Sequence, residues 1–308
     1  MTGGSRPHFC DRLAALVEER RSRVVLGLDP DPAALWPEAV ARFAGAGESD
    51  HLARVHAAEA VADHCRAAIV AAGPACVAVK LQLACFERLG APGWDALERT
   101  VAVARDHGLL VLADGKRGDV PVTARAYAQA LVGETDTPFG TVAGLGADAF
   151  TANPLLGRDS LAPLVEAAAA AGAGCFLLVR TSNPGAAEIQ DEGAPPLHER
   201  LARITDELGA ARTGECGLSL VGAVTGATQP GLLGRLRELM PRAVFLLPGV
   251  GAQGGRVEDL KAAFEPHPAA GLITASRSIV NAHAERGGQP AVAAAAAAEE
   301  LRAAAWDL

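Results

Sequence analysis

The chain has 308 residues, of which half are hydrophobic and only 4% aromatic, and it carries a net charge of −8. An acidic chain of this kind lacks the basic surface that broad nucleic-acid binding needs, so we expect no nucleic-acid partner. The charge does not exclude one small anionic ligand, because a single arginine and a few backbone N–H groups can hold a phosphate.

Short sequence patterns argue against several other classes of protein. No apolar run approaches the roughly 18 residues of a membrane helix, and the first residues lack a signal-peptide core, so we expect a cytoplasmic protein with no membrane contact. The six cysteines form no C-x-x-C pair and read as reduced core residues. The eight histidines show neither H-x-H nor H-E-x-x-H spacing, so we expect no metal site.

Short apolar runs recur along the chain, and alanine- and leucine-rich segments with helical spacing separate them. Eight repeats of a buried strand followed by a helix predict a (β/α)₈ TIM barrel, and an open doubly wound sheet is the alternative. We expect a single domain over 1–308, with a core at about 24–285 and helical extensions at both ends. The predicted strands are 24–29, 77–82, 109–114, 147–152, 175–180, 218–224, 243–248 and 271–275, and the clearest helices are 52–72, 94–107, 161–171 and 197–208.

Two segments stand outside this repeat. Residues 30–50 separate the first two strands widely and are rich in Pro, Gly and Ala, which predicts a turn and an insertion. Residues 290–308 are alanine-rich but carry charges, which predicts a closing amphipathic helix.

Active sites of barrel enzymes lie at the carboxyl ends of the strands. The third strand ends in A-D-G-K-R-G-D-V, which places Asp114, Lys116 and Asp119 together after a fully apolar run. If the backbone continues extended, Asp114 and Lys116 point the same way into the barrel mouth, and Gly115 and Gly118 loosen the chain so that the charges can be aimed. The alternative is a helix N-cap at Asp119 with surface charges.

This segment matches the D-x-K-x-x-D signature of the orotidine 5′-phosphate decarboxylases, and the chain resembles that family, in particular its longer bacterial subgroup. The resemblance runs from about residue 24 to 279 and rests on five pieces in the family's order. The four besides the signature are V-L-G-L-D-P-D-P at 25–32, V-K-L-Q-L-A-C-F-E-R-L-G at 79–90, T-A-N-P-L-L-G-R-D-S at 151–160 and V-R-T-S-N-P-G at 179–185.

The resemblance implies a reaction that needs no cofactor: CO₂ leaves C6 of orotidine 5′-phosphate, and a proton takes its place to give UMP. It implies that Lys116 stabilises and protonates the C6 carbanion, with Asp114 near the departing carboxylate. Lys80 and Asp29 would bind ribose hydroxyls and complete the charge network. Asp119 and Thr123 would cross a homodimer interface into the neighbouring active site.

The remaining expected contacts concern the phosphate and the base. The resemblance places Pro248, Gln253 and Arg277 around the 5′-phosphate, although Ser276 stands where the family frequently has glycine. It places Thr181 and Ser182 at the pyrimidine edge, without deciding which of the two reads it. Asn153 is a further candidate, but it could equally satisfy a loop backbone.

Four other functions compete with this interpretation. The G-x-G-x-x-G spacing at 249–254 is also found in nicotinamide-dinucleotide sites, but it falls in the seventh unit rather than the first. Mg²⁺-dependent sugar-phosphate relatives share the signature but carry a glutamate in the region of Lys80. A non-catalytic barrel would be expected to lose Lys116 or Asp114. A Schiff-base aldolase needs a lysine of lowered pKa, whereas flanking aspartates raise it.

Overall fold

The computed structural model describes residues 6–43, 49–251 and 254–308. Eight parallel strands close into a barrel in the order β1-β2-β3-β6-β7-β8-β9-β10, which confirms the predicted TIM barrel and excludes the open doubly wound sheet. The barrel strands are β1 (Val24–Leu28), β2 (Ala78–Gln82), β3 (Leu110–Arg117), β6 (Ala149–Ala152), β7 (Gly174–Arg180), β8 (Ser219–Thr225), β9 (Ala243–Pro248) and β10 (Gly271–Ala275).

Helices connect the strands and form the outer layer. The four helices predicted most clearly from the sequence correspond to α3, α5, α7 and α9, with ends that differ by at most three residues. In chain order the helices are α1 (Phe9–Arg20), α2 (Pro37–Val40), α3 (Asp50–Ala72), α4 (Leu83–Glu87), α5 (Ala91–Asp106), α6 (Pro121–Leu131), α7 (Arg158–Ala170), α8 (Ala187–Gln190), α9 (Leu197–Gly209), α10 (Pro230–Leu239), α11 (Arg277–Val280), α12 (Ala282–Arg286) and α13 (Pro290–Trp306).

The barrel strands are buried along almost their whole length. All residues of β1, β6, β8 and β10 are buried, because helices cover the outside of the barrel and side chains fill its inside. Phe176 and Phe245 are among the largest fully buried side chains, and Phe176 meets Phe9 of α1 edge-on at 6.0 Å between ring centroids. The continuous apolar runs of the sequence follow from this double burial.

Two additional strands, β4 (Glu134–Thr137) and β5 (Gly140–Ala143), form an antiparallel hairpin after α6 that the sequence analysis did not predict. Seven of its eight strand residues are exposed, and the sequence E-T-D-T has no apolar alternation. Gly140 has a φ of +115° at the turn, where a side chain would be strained. The hairpin carries Phe139 at its tip, 98% exposed.

The insertion after β1 contains α2 and a 3₁₀ helix at Ala41–Phe43, while 44–48 lie outside the described residues. The predicted closing helix is α13, which packs against α3. All six cysteines are free thiols, four of them buried. Within the described ranges, no helix is long and apolar enough to cross a membrane.

One close contact joins the first strand of the barrel to the residue that follows the last strand, at the carboxyl end of the barrel. A Cβ atom added to Gly27 of β1 would lie 1.9 Å from Ser276 Oγ and 2.9 Å from Ser276 Cβ. Ser276 directly precedes α11. Its side chain fits at this position because the absence of a side chain at Gly27 leaves room for it.

We predict that Gly27→Ala lowers the free energy of unfolding by about 1–3 kcal/mol through this overpacking. Adding Ser276→Gly to the same chain is expected to recover most of the loss, because it removes both clashing side-chain atoms. Gly234→Ala on α10 serves as the control, since nothing lies within 4 Å of its added Cβ. Urea denaturation measures all four proteins, and a double variant no more stable than Gly27→Ala would contradict the contact.

Candidate active site

A cavity of about 470 Å³ opens at the carboxyl ends of the barrel strands. The fold brings polar side chains to its wall from β2, β3, β6 and β10 and from the segments that follow β1, β7 and β10, as expected at the carboxyl ends of parallel barrel strands. Eight of the residues predicted from the sequence line it: Asp29, Lys80, Asp114, Lys116, Thr181, Ser182, Pro248 and Arg277.

Asp114 is the centre of the charged part of this wall, and it is only 4% exposed. Its Oδ1 accepts hydrogen bonds from Lys116 Nζ at 2.7 Å and Thr151 Oγ1 at 2.8 Å. Its Oδ2 accepts from Lys80 Nζ at 2.8 Å and Gln82 Nε2 at 3.3 Å. Four donors thus satisfy one buried carboxylate, and two of them are cations.

Lys80 links this carboxylate to a second one. Its Nζ also donates to Asp29 Oδ1 at 3.2 Å, so that charges alternate from Asp29 through Lys80 and Asp114 to Lys116. Lys80 and Asp114 are buried, whereas the side chains of Asp29 and Lys116 are 37% and 42% exposed and face the cavity. The row therefore has a buried centre and two accessible ends.

The pairing sets the protonation states of the buried centre. Burial alone would raise the pKa of Asp114, but the charges of Lys80 and Lys116 and their hydrogen bonds hold it well below its usual value. Burial likewise acts to lower the pKa of Lys80, and the two aspartates override it and raise that pKa above the ordinary lysine value. Both groups are consequently charged at neutral pH.

A bulge in β3 aims Lys116 at Asp114. Ala113 pairs with Phe150 and Arg117 with Ala152, so the three residues 114–116 lie opposite the single Thr151 of β6. Lys116 has a φ of +49°, in the left-handed region that non-glycine residues rarely occupy. The expected extended backbone is therefore wrong at Lys116, although its side chain does point with that of Asp114 into the cavity.

Thr151 supports this strained conformation. The Lys116 N–H donates to Thr151 Oγ1 at 2.9 Å, and the same hydroxyl donates to Asp114. The neighbouring glycines have a different role from the one expected, since Lys116 itself takes the positive φ. A Cβ on Gly118 would lie 2.7 Å from the Asn153 carbonyl oxygen, so this glycine permits close approach to the loop after β6.

A second polar group lines the side of the cavity formed by the end of β7. Gln190 of α8 accepts a hydrogen bond from Thr181 N at 2.8 Å and donates to Thr181 Oγ1 at 3.0 Å. Behind it, Arg180 forms a two-pronged pair with Asp191 at 2.8 and 3.0 Å. This buried arginine therefore holds the segment that carries Gln190 and is not itself in the cavity wall.

A third part of the cavity wall contains the glycine-rich loop after β9 and the start of α11. Pro248, Gly249 and Val250 line it together with Ser276 and Arg277. Gln253 lies outside the described residues. The G-x-G-x-x-G spacing here follows a barrel strand, so the open-sheet crevice in which dinucleotides bind is not formed.

Three predicted site residues do not line this cavity. Asp119 is not the N-cap of α6, because Val120 occupies that position and the Asp119 carboxylate accepts from Val120 N at 2.7 Å. Thr123 is exposed on the first turn of α6. Asn153 Oδ1 accepts from Leu155 N at 3.0 Å, which is the loop-backbone alternative left open by the sequence.

Several cavity residues were missing from the predicted set, and the sequence signals of three of them, Thr151, Gln190 and Thr274, differ. Thr151 was not predicted because it is a single polar residue within the otherwise apolar strand β6. It nevertheless lies opposite the D-G-K segment of β3. Gln190 ends the short helix α8, and no sequence pattern marked that segment. Thr274 of β10 lines the cavity with a buried hydroxyl that has no hydrogen-bond partner among the described residues.

A closed parallel barrel with an alternating row of aspartates and lysines at its carboxyl ends defines an α/β-barrel enzyme. The chain belongs to the Orotidine 5'-phosphate decarboxylase / HUMPS family, whose family model matches residues 22–295.

Individual relatives agree with this assignment. An orotidine 5'-phosphate decarboxylase of Deinococcus radiodurans is 40% identical over 299 residues, covering 97% of this chain and 98% of the relative. One of Haloarcula marismortui is 40% identical over 283 residues, covering 89% and 87%. The solved structure of a putative orotidine 5'-phosphate decarboxylase from Streptomyces avermitilis is 34% identical with a TM-score of 0.75, covering 99% of this chain and 98% of that one.

Proposed function

We propose that this protein decarboxylates orotidine 5′-phosphate to UMP and CO₂, with Lys116 as the proton donor. The observation that carries the proposal is the row Asp29–Lys80–Asp114–Lys116 at the mouth of a family barrel. The alternating charges place an ammonium group and a carboxylate side by side at the accessible end of the row. The reaction forms a carbanion where a carboxylate leaves, and the ammonium group of this pair carries the charge opposite to that carbanion.

In the proposed step the C6–carboxylate bond breaks, CO₂ leaves, and the electron pair stays on C6. The ammonium of Lys116 stabilises that charge and then donates a proton to C6, after which the neutral amine regains a proton from solvent. Asp114 holds Lys116 Nζ at 2.7 Å and adds negative charge near the departing carboxylate. Because Lys80 keeps Asp114 ionised, the pair is charged before the substrate binds.

The rest of the cavity would bind the nucleotide. Asp29 and Lys80 are proposed to bind ribose hydroxyls, and Thr181 and Ser182 the pyrimidine edge. Arg277, Pro248 and Gln253 would surround the phosphate, and Arg277 and Pro248 both line the cavity. Asn153 is proposed only to shape the loop beside the signature. A cytoplasmic location, cofactor independence and a single-domain organisation of 1–308 belong to the same proposal.

The geometry also argues against the Mg²⁺-dependent relatives and the Schiff-base aldolases. Lys80 lies between the two carboxylates that a cation would need, and its own charge repels a divalent ion. The raised pKa of Lys80 keeps its amine protonated and so unable to attack a carbonyl group. A non-catalytic barrel would have no need of a strained Lys116.

We predict that the wild-type protein consumes orotidine 5′-phosphate at an undiminished rate in EDTA, and that Lys116→Ala lowers kcat by at least about 10³-fold. The loss of substrate absorbance measures both rates. The chain has three lysines, and Lys261→Ala is the matched control because Lys261 is exposed and outside the cavity. Wild type without activity, or active only with Mg²⁺, would refute the proposed reaction.

We further propose that the active site is completed by Asp119 and Thr123 of a second copy in a homodimer. Both residues lie outside their own cavity, Asp119 just before α6 and Thr123 on its first turn. The apolar side chains between them, Val120 and Val122, are 53% and 84% exposed, which is typical of a surface covered by a partner. In a dimer with two-fold symmetry, each copy would contribute its Asp119 and Thr123 to the active site of the other copy.

Complementation between inactive variants tests the shared site. An equal mixture of Lys116→Ala and Asp119→Ala subunits, refolded together, is expected to recover about a quarter of wild-type activity, because half of the dimers then hold one intact site. A mixture of Lys116→Ala and Asp114→Ala is the control and should stay inactive, since both residues belong to one chain's cluster. Equal failure of the two mixtures would place Asp119 in its own subunit's site.

A further inference from the structure

A buried chain of hydrogen bonds connects helix α3 to the phosphate end of the cavity through the insertion after β1. Trp36 lies in this insertion and is only 2% exposed. Its backbone N–H donates to His64 Nδ1 of α3 at 3.1 Å, and its indole Nε1 donates to the Val280 carbonyl oxygen at 3.0 Å. The rings of Trp36 and His64 also meet edge-on, with 5.3 Å between their centroids.

The acceptor of the indole N–H is the last residue of α11. Carbonyl groups in the final turn of a helix have no donor within it, and one that is buried needs another partner. Trp36 is that partner for Val280. With only four residues, α11 has little stability of its own, so this bond and the packing of Ser276 against Gly27 hold its two ends.

The first residue of α11 is Arg277, the side chain that we assign to the phosphate. Arg277 borders the main cavity and also a smaller cavity of about 200 Å³, which Val280 and His64 line on the other side. No ion pair fixes its guanidinium group among the described residues. The position of α11 therefore determines which cavity the arginine faces.

The protonation of His64 suits this arrangement. Burial lowers its pKa to about 4, with a smaller contribution from His283, so the ring is neutral at physiological pH. A neutral ring that accepts at Nδ1 carries its hydrogen on Nε2. The acceptor for the Trp36 backbone is thus available under the conditions in which the enzyme works.

We propose that Trp36, supported by His64, is a positioning residue that holds α11 through Val280 and thereby directs Arg277 at the substrate phosphate. The inference rests on the proposed function, because it takes the phosphate of orotidine 5′-phosphate and UMP as the ligand of Arg277. It assigns a role to the insertion that separates the first two strands. Removing the indole N–H should weaken phosphate binding without affecting the binding of the nucleoside.

The test compares Kd values of UMP and uridine for Trp36→Phe, which keeps an aromatic ring but loses the N–H donor. We expect the Kd of UMP to rise about fivefold, the usual effect of losing one neutral hydrogen bond, and that of uridine to stay unchanged. Trp94→Phe is the matched control and should change neither, because the Trp94 side chain makes no described hydrogen bond and lies outside both cavities. An unchanged Kd of UMP, or equal losses for UMP and uridine, would overturn the proposal.

A double-variant cycle then asks whether Trp36 acts through Arg277. In the Arg277→Ala background, Trp36→Phe is expected to change the Kd of UMP by less than about 1.5-fold, because the two residues would act as a unit. The same fivefold effect in both backgrounds would show a general structural role and overturn the proposal.

His64 provides a second pair of variants in case Trp36→Phe folds poorly. His64→Leu removes the acceptor and should weaken UMP binding, whereas His64→Asn keeps an acceptor near the Nδ1 position and should restore it. Equal affinities for the two variants would contradict the role of His64. Because binding is measured without turnover, a wild type that binds UMP but does not consume orotidine 5′-phosphate refutes only the proposed reaction; one that does not bind UMP refutes both.

Discussion

The ionised carboxylate of Asp114 is the constraint on which the rest of the site depends. A buried charge costs several kcal/mol unless it is paired and hydrogen-bonded, and Asp114 meets both conditions with two ammonium groups, an amide and a hydroxyl. The same contacts keep Lys80 protonated although it is buried. The electrostatic row is therefore assembled before any substrate arrives, as catalysis by preorganised charges requires.

The barrel supplies the positions for this row. Strands β1, β2 and β3 are adjacent, with Gln82 of β2 opposite Asp114 of β3, so side chains from three neighbouring strands meet at the cavity. The bulge then moves Lys116 out of the regular ladder and over the cavity. Strain of about 1–3 kcal/mol in such a backbone persists only where the surroundings hold it, and Thr151 does so here.

Much of this arrangement could be predicted from the sequence, and the failures have physical reasons. Continuous apolar runs and helical spacing specify the eight strands because burial on both faces leaves no other pattern. Asp29, Lys80, Asp114 and Lys116 could be placed because strand ends converge in a barrel. The left-handed backbone at Lys116 could not, since it follows from a bulge against β6, and propensity disfavours it. The N-cap alternative at Asp119 was wrong because the helix starts two residues later.

Other features depend on tertiary contacts that leave no local signal. Gln190 reaches the cavity on a segment that the Arg180–Asp191 pair helps to fix, and those partners are eleven residues apart. The hairpin β4–β5 is exposed and polar, so hydrophobic patterning does not reveal it. Trp36 belongs to an insertion without periodicity, and its connection to Val280 spans most of the chain. Contacts between distant segments, rather than propensities, determine these positions.

The central claim is that Asp114 and Lys80 are both charged in their buried positions, and the pKa of Lys80 tests it most directly. Because the chain has only three lysines, the titration of each can be followed separately. In protein labelled with ¹³C at lysine Cε, three signals are expected, from Lys80, Lys116 and Lys261. The account predicts that Lys80 titrates at higher pH than a lysine usually does, because Asp114 and Asp29 raise its pKa. It also predicts that Asp114→Asn lowers that pKa, because the lowering effect of burial is then opposed by Asp29 alone. A Lys80 signal that titrates below the ordinary lysine range in the wild type, or that does not respond to Asp114→Asn, would contradict it.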